Sequence, residues 1–299
     1  MIELPRGVKM VIGQGGLPMV RVETAASEAE IYLQGAHVTH FKRNGEAPLL
    51  FLSKESKFVD GVAIRGGVPI IFPWFGAKTG EAAHGFARTM AWELKEASVL
   101  ANGSVVVKFR LPHHLTPSSK EAEKDWALSS CEMEYLVTVG AGLELELRVR
   151  NNSTVSEFTF ENCLHTYFTV GNIATTSITG LKGVNYRDKV DNFAEKTETN
   201  EAIQITSEVD RVYMDTTSAV EIRDQKLRRT ILVEKQDSFS TVVWNPWIEK
   251  AKQMSDFGDE EYKAMVCVES GNVGKNRITL KSGETSKLKV KLTHSALLG

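Results

Sequence analysis

The feature that most constrains the fold is strict alternation of apolar and polar side chains over Cys131–Arg150. The alternation continues on both sides of Gly140-Ala141-Gly142, which predicts a β-hairpin with one buried face. A similar alternation at residues 278–280 and 288–292 flanks Ser282-Gly283-Glu284 and predicts a second hairpin near the end of the chain. Strands of this kind bury one face of a sheet against another layer.

Helical patterns are scarce in the rest of the chain. Pro246 suits the first position of a helix, and we expect a short helix over Trp247–Met254. Residues 112–130 and 187–210 are polar and turn-rich, so we expect long loops there, with a helical turn near Glu121–Trp126. Strands and turns nearly throughout predict an all-β fold, a large antiparallel β-sandwich with a few short helices.

Length and charge limit the remaining possibilities. The chain has 299 residues, and all-β folds of this size often form one domain. No internal repeat, low-complexity tract or linker divides it, so we expect a single β-sandwich domain over residues 1–299. The net charge of −2 provides no global field that would attract nucleic acid or an acidic membrane surface. We therefore expect neither nucleic acid nor a membrane as a partner.

The expected location follows from the absence of export signals and from the cysteines. No apolar run approaches the roughly 20 residues that span a bilayer. The start, Met1–Arg6, lacks the basic and then apolar layout of a signal peptide. The three cysteines, Cys131, Cys163 and Cys267, cannot all pair within one chain. We expect reduced thiols and a cytoplasmic protein.

Glu157–Val170 is the first segment with candidate functional residues. If it forms a strand, one face is apolar and suits a core between two sheets, and the other is polar and aromatic, as a sugar groove would be. The apolar face contains Phe158, Phe160, Leu164 and Phe168, and the other contains Glu161, Cys163, His165 and Tyr167. His165 is thus a candidate groove residue, although a solvated or hydrogen-bonded histidine at an ordinary position fits the pattern equally well.

Glu269 is the second candidate. It interrupts the apolar segment Met265–Asn272 just before Gly271. Carboxylates are rarely buried without a partner. Glu269 is therefore either a functional acid–base group or a residue that caps the end of a strand in solvent.

Gly61–Gly76 is glycine-rich, but it lacks the Gly-Lys-Ser/Thr ending of a phosphate-binding P-loop. Gly66 and Gly67 would let the backbone approach a ligand closely. Arg65 could offer a planar fork of donors to a phosphate or to sugar hydroxyls, and Trp74 an apolar wall for a sugar ring. The alternative is a buried, tightly turned core segment.

Two further histidine motifs lead to different expectations. His84-Gly85-Phe86-Ala87-Arg88 adds a second histidine and a second arginine near Arg65, and neither is diagnostic alone. His37 and His40 suggest a metal site, but residues three apart on a strand point to opposite faces. We therefore expect no metal there.

Taken in order along the chain, these segments resemble the aldose 1-epimerase superfamily. Within it they are most similar to the hexose-6-phosphate branch, the glucose-6-phosphate 1-epimerases, which includes the plant apospory-associated protein C type. The segments span nearly the whole chain and are Ile64-Arg65-Gly66-Gly67-Val68-Pro69, Phe72-Pro73-Trp74-Phe75-Gly76, His84-Gly85-Phe86-Ala87-Arg88, Leu164-His165-Thr166-Tyr167-Phe168, Val209-Asp210-Arg211-Val212-Tyr213, Val243-Trp244-Asn245-Pro246-Trp247 and Val266-Cys267-Val268-Glu269-Ser270.

The resemblance implies a galactose-mutarotase-like β-supersandwich with a sugar groove on one sheet and no cofactor or metal. It implies a small-molecule hexose phosphate as the partner, and we expect a monomer or a weak homodimer. The implied catalytic pair is His165 as general acid and Glu269 as general base. The implied substrate contacts are His84 and Asp210 beside the sugar, with Asp210 expected in a loop, and Arg65 and Arg88 near the phosphate.

Mutarotation suits a histidine and a glutamate. The reaction opens a pyranose hemiacetal and recloses it on the other carbonyl face, so the anomeric hydroxyl loses a proton while the ring oxygen gains one. A glutamate near its usual pKa of about 4.3 can accept that proton, and a histidine near about 6.5 can donate one. Two alternatives stay open: an aldose 1-epimerase that acts on free sugars, and a non-catalytic protein that binds carbohydrate or has a structural role.

Overall fold

The structure is a computed structural model that describes residues 2–112, 130–154 and 156–297. Most of the loop expected over 112–130, with the helical turn expected near Glu121–Trp126, lies outside the described residues. The predicted short helix is present as α1, Trp247–Gln253. Within the described ranges, no helix combines the length and the apolar character that a membrane crossing requires.

Strands dominate the described chain. From the start to the centre they are β1 (Val8–Ile12), β2 (Pro18–Glu23), β3 (Ser27–Tyr32), β4 (His37–Arg43), β5 (Ile70–Ile71), β6 (Glu93–Val99), β7 (Val105–Leu111), β8 (Cys131–Val139), β9 (Leu143–Asn151), β10 (Phe158–Phe160), β11 (Asn162–Leu164) and β12 (Tyr167–Thr169). The rest are β13 (Thr176–Thr179), β14 (Asn185–Asp188), β15 (Ala194–Thr197), β16 (Ala202–Gln204), β17 (Val209–Met214), β18 (Val220–Asp224), β19 (Arg229–Gln236), β20 (Ser240–Asn245), β21 (Met265–Asn272), β22 (Ile278–Leu280) and β23 (Thr285–Ala296). Short 3₁₀ helices occupy Gln14–Gly16, Ile173–Thr175, Lys189–Asp191, Glu261–Ala264 and Gly274–Asn276.

In the part of the chain that the structure describes, most strands belong to two large antiparallel sheets. Sheet I has nine strands in the order β16-β13-β18-β19-β23-β9-β8-β7-β6. Sheet II has eight, in the order β15-β14-β17-β20-β21-β11-β5, with β12 also paired to β21. Strands β1 to β4 form a further sheet, and β10 pairs with β22. A continuous apolar core contains side chains from both large sheets and from the β1–β4 sheet, so the predicted all-β sandwich is confirmed.

The two predicted hairpins have different outcomes. Strands β8 and β9 pair in register from Cys131 opposite Asn151 to Val139 opposite Leu143, and alternate side chains are buried, so the first hairpin is confirmed. The second prediction is wrong, because β22 pairs with β10 whereas β23 pairs with β9 and β19. Strand β22 has three residues, and β23 finds a much longer apolar partner in β9, where Leu288 lies opposite Leu147.

The prediction of a long loop over residues 187–210 is also wrong. The segment contains β15, β16 and parts of β14 and β17. Strand β15 lies at the edge of sheet II and has no fully buried residue. Backbone hydrogen bonds define such a strand, and with no buried face it carries no apolar alternation that a sequence could reveal. Asp210 accordingly lies in β17 and not in a loop.

Candidate active site

The two faces of sheet II have different roles. Along β21, Val268 belongs to the apolar core of the sandwich, and Glu269 points to the other face. Trp244 of β20 lies opposite Cys267 of β21, and Asp210 of β17 lies opposite Trp244. Because directly opposed residues share a face, Asp210, Trp244 and Cys267 all lie on the same face as Glu269. This face forms the floor of the candidate site.

Strand register explains why His165 meets Glu269. Strand β21 pairs with two short strands in succession: Leu164 of β11 lies opposite Ser270, and Tyr167 of β12 lies opposite Cys267. His165 and the next residue bridge the gap between these strands, and the His165 amide donates to the carbonyl oxygen of Pro69, 3.0 Å away. The histidine is thereby held beside the central residues of β21.

The predicted side-chain faces of Glu157–Val170 agree with the structure, but the segment is not one continuous strand. The segment forms three short strands, β10 to β12, instead of one. All four residues of the predicted apolar face lie in the main core: Phe158, Phe160, Leu164 and Phe168. The change of strand at His165 lets two short strands pair with one long strand without moving the histidine to the core face.

His165 and Glu269 are in direct contact. The distance from His165 Nε2 to Glu269 Oε1 is 3.2 Å, and the side chains are 9% and 1% exposed. Cys163 donates its Sγ–H to Glu269 Oε2 at 3.5 Å. Since Glu269 is buried, the possibility that it caps a strand end in solvent is wrong. Among the described residues, His165 Nδ1 has no hydrogen-bond partner.

Burial shifts the pKa values of both residues away from the ordinary values that we assumed from the sequence. It raises the pKa of Glu269 well above its usual range, and the negative charge of Asp210 raises it further. It lowers the pKa of His165 well below its usual range, and His84, Arg88 and Arg65 lower it further. Both shifts oppose a charge on the residue concerned, and the direct contact between the two side chains lets them share one transferable proton.

Aromatic rings surround His165. Tyr167 stacks on its imidazole with a centroid distance of 4.8 Å and an interplanar angle of 12°. His84 meets the imidazole edge-on at 5.6 Å, and Trp244 does so at 6.1 Å. Tyr167 was predicted to lie on the same face as His165, since the two are two residues apart along the segment. These rings fix the orientation of the imidazole.

Arg65 reaches the site but already has partners. Its Nε and Nη2 donate to Asp256 Oδ2 at 3.2 and 3.0 Å, and its Nη1 donates to Tyr167 Oη at 2.9 Å. The sequence analysis did not include Asp256, because no local pattern links a loop aspartate to an arginine far away in the chain. The two glycines after Arg65 serve packing, since a Cβ on Gly66 or Gly67 would lie within 2.5 Å of a backbone oxygen.

Arg88 and His84 come from one turn. Arg88 Nη2 donates to the carbonyl oxygen of Ala83 at 2.8 Å. Its Nε is buried and has no hydrogen-bond partner within the described residues. Burial lowers the pKa of Arg88 to about 10, so it stays protonated at neutral pH. Burial and the charges of Arg88, Lys189 and Arg65 lower the pKa of His84 to about 3, so His84 is neutral.

Asp210 is paired with a residue that the sequence analysis missed. Lys189 Nζ lies 2.9 Å from Asp210 Oδ2 and 5.2 Å from the centre of the Phe75 ring. Phe75 in turn packs edge-on against His84 at 5.0 Å. These residues adjoin a cavity of about 470 Å³ that Phe75, Lys189 and Asp210 help to line. Lys189 was missed because it lies in the segment that was predicted to be a loop.

Trp74 is placed differently from the expectation. Its Nε1 donates to the carbonyl oxygen of Ala82 at 3.0 Å, and Lys78 lies over its ring. Trp74 thus packs within its own half-exposed loop, and the neighbouring Phe75 is the aromatic residue that reaches His84. Adjacent residues in an extended segment point in opposite directions, so only one of the two can face the site.

One group of side chains has the composition of a metal site. The ligand atoms of His165, Cys267 and Glu269 lie within 4.8 Å of one another. Burial raises the pKa of Cys267 well above its usual range, so the thiol would have to lose a tightly held proton to bind a metal. His37 and His40 do not face a common point, since they contact the Gly66 carbonyl oxygen and Glu28 respectively.

Comparison with known proteins identifies the family to which the chain belongs. A family model described as aldose 1-epimerase matches residues 18–293. A protein of Escherichia coli K12, provisionally named glucose-6-phosphate 1-epimerase, is 38% identical over 256 residues, which cover 85% of this chain and 83% of the relative. A relative of the same provisional name from Cenchrus ciliaris is 36% identical over 298 residues, which cover 98% and 87%.

A solved structure extends the comparison to the fold. The crystal structure of a provisionally named mutarotase from Salmonella typhimurium superposes with a TM-score of 0.86 at 32% sequence identity. The match covers 99% of this chain and 96% of that chain, which confirms the predicted mutarotase-like sandwich. Because the family model and the relatives extend along most of the sequence, the chain belongs to the aldose 1-epimerase family.

Proposed function

We propose that this protein interconverts the α and β anomers of a hexose 6-phosphate, with glucose 6-phosphate as the first substrate to test. The observation that carries the proposal is the 3.2 Å contact between His165 Nε2 and Glu269 Oε1 in a buried site. Membership of the aldose 1-epimerase family supports anomer exchange as the reaction. The phosphorylated substrate is supported by the relatives named as glucose-6-phosphate 1-epimerases.

The proposed mechanism uses the one transferable proton of the pair. The proton shared by the pair first moves from Glu269 to His165 across their 3.2 Å contact. In ring opening, the ionised Glu269 accepts the proton of the anomeric hydroxyl, and the protonated His165 donates its proton to the ring oxygen. The C1–C2 bond of the open-chain sugar then rotates, and ring closure proceeds with the two roles reversed. The pair ends each cycle with the protonation it began with, so the reaction needs no proton from solvent. Each positioned proton transfer contributes about 10²–10⁴-fold.

The arginines support a phosphorylated substrate. Arg88 presents a buried Nε–H that lacks a partner among the described residues, and leaving such a donor unpaired is costly. Arg65 uses three of its five N–H donors on Asp256 and Tyr167, so two remain for a ligand. A phosphate dianion would satisfy these donors and hold the open-chain sugar while its C1–C2 bond rotates.

Magnetisation-transfer NMR tests the proposal by measuring anomer exchange of glucose 6-phosphate and of glucose. We expect fast exchange of the phosphorylated sugar with the wild type and near-complete loss with Glu269→Gln. Glu201→Gln is the matched control, since Glu201 forms an exposed pair with Lys182 on the surface. No acceleration of either sugar by the wild type would refute the enzyme, and full activity of Glu269→Gln would remove Glu269 as the base.

A free aldose is the second candidate substrate. The observation that favours it is the ion pair between Arg65 and Asp256, which engages part of the proposed phosphate site. The same NMR experiment separates the two candidates. Equal exchange rates for glucose and glucose 6-phosphate would favour the free sugar and remove the phosphate site.

A further inference from the structure

Both arginines are connected to His165 through the rings that surround it. Arg65 Nη1 donates to Tyr167 Oη at 2.9 Å, and the Tyr167 ring stacks on the His165 imidazole. Arg88 Nη2 donates to the carbonyl oxygen of Ala83, which immediately precedes His84 in the chain, and the His84 ring lies edge-on to His165. An anion held by the two arginines would therefore act close to the proposed general acid.

The two arginines near His165 differ in their counter-charges: Arg65 pairs with Asp256, whereas Arg88 has no ion-pair partner among the described residues. The groups that face His165 are Arg65, Arg88 and His84 on one hand, and Glu269, Tyr167, Cys267 and Trp244 on the other. Tyr167 and Cys267 are neutral, because burial raises the pKa of both groups. The two guanidinium groups thus add to burial in opposing a proton on His165, and both lower its pKa. His165 must nevertheless gain that proton to act as the general acid.

We propose that the phosphate of the substrate activates this site in addition to anchoring the sugar. A dianion bound by Arg65 and Arg88 offsets their positive charge, so that the proton shared with Glu269 moves to His165, which then donates it to the ring oxygen. The inference rests on the proposed function, and it adds a separate claim: the phosphate raises the rate of the chemical step and not only the affinity for the sugar.

A dianion that is not attached to the sugar should then activate a truncated substrate. D-Xylose lacks C6 and leaves room for sulfate, which has the charge and shape of phosphate but is a far weaker base. We expect sulfate to accelerate xylose exchange by about tenfold, because a pKa rise of one unit increases the protonated fraction of a mostly neutral group about tenfold. Chloride at matched ionic strength should have no such effect, which excludes general screening.

Sulfate should have the opposite effect on the intact substrate. It competes for the arginines with the phosphate of glucose 6-phosphate, so we expect sulfate to slow that exchange while it accelerates xylose exchange. If the phosphate serves only as an anchor, sulfate will slow exchange of glucose 6-phosphate and leave xylose unchanged. That outcome would overturn the inference and leave the proposed function intact.

A second readout does not depend on turnover. The ¹⁵N NMR signals of His165, assigned by their absence in His165→Gln, report its protonation directly. We expect sulfate to move the titration midpoint of His165 to higher pH in the wild type and in the surface variant Lys182→Met, and not in Arg88→Met. An unmoved midpoint in the wild type contradicts the inference. Absence of any exchange of glucose 6-phosphate would instead refute the proposed function.

Discussion

The charged groups near the catalytic pair fall into two sets that are paired in different ways. The first, the arginine set, consists of Arg65 and Arg88, and the second, the aspartate set, consists of Asp210 and Lys189. The aspartate set is closed on itself by a 2.9 Å ion pair. The arginine set is open, because Arg88 keeps a buried Nε without a partner among the described residues.

The two sets also act mainly on different members of the pair, although Arg88 makes a smaller contribution that lowers the pKa of Glu269. The arginines lower the pKa of His165, whereas Asp210 raises the pKa of Glu269 and Lys189 partly opposes that rise. Each set therefore favours the uncharged form of the residue on which it acts. A dianionic ligand can reverse only the effect of the open set, since the closed set already contains its counter-charge. A phosphate would therefore change the pKa of the acid more than the pKa of the base.

The largest expected effect comes from replacing His165, the proposed general acid on which the arginine set acts. We expect His165→Gln to reduce anomer exchange of glucose 6-phosphate by roughly 10²–10⁴-fold, because the ring oxygen loses its proton donor. Calorimetric binding of glucose 6-phosphate should change little, since the arginines that would hold the phosphate are intact. A variant that keeps the wild-type rate would show that His165 is not the acid.

A smaller effect, selective for the phosphorylated sugar, is expected from a change in the arginine set. Replacing Arg88 by Met removes a charge-assisted hydrogen bond, typically about 1.5–3 kcal/mol, so kcat/KM for glucose 6-phosphate should fall roughly 10–100-fold. Exchange of glucose should not fall and should rise modestly, because Arg88 lowers the pKa of His165 and the variant removes that charge. Arg223→Met is the control, because Arg223 pairs with Glu221 on the surface. An equal loss on both sugars would indicate that Arg88 supports the fold and not the phosphate.

The smallest effect is expected from a change in the aspartate set, the replacement of Lys189 by Met. Lys189 lowers the pKa of Glu269, so in Lys189→Met that pKa rises and the charged form of Glu269 becomes rarer. We expect a loss of about tenfold or less in kcat, since one pKa unit corresponds to a tenfold change in population. The pair loses its transferable proton as pH rises through the pKa of Glu269. The alkaline limb of the rate profile should therefore move to higher pH in this variant.

Two variants complete the test of Lys189. Lys189→Arg retains the charge and should restore the position of the alkaline limb. Lys196→Met is the matched control, because Lys196 comes from the neighbouring strand and pairs with Asp188 and Asp191 instead of Asp210. An alkaline limb that moves to lower pH, or does not move in Lys189→Met, would contradict the role assigned to the closed set.

Local periodicity predicted the fold class and the direction of individual side chains. The β8–β9 hairpin and the core face of Glu157–Val170 follow from a period of two, which depends only on residues next to each other in the chain. The same reasoning failed for the edge strand β15, because a strand without a buried face shows no alternation of apolar and polar residues. It also failed for the second hairpin, where β23 pairs with distant strands and not with β22.

The sequence alone made His165 and Glu269 candidates and predicted that His165 lies opposite the apolar face of its segment. The folded structure was needed to show that His165 contacts Glu269, that Asp256 pairs with Arg65, and that Lys189 pairs with Asp210. The physical reason is that side-chain alternation is a local property of the backbone. Contact between distant residues depends instead on how strands pair, and β21 acquires its partners from segments far away in the chain.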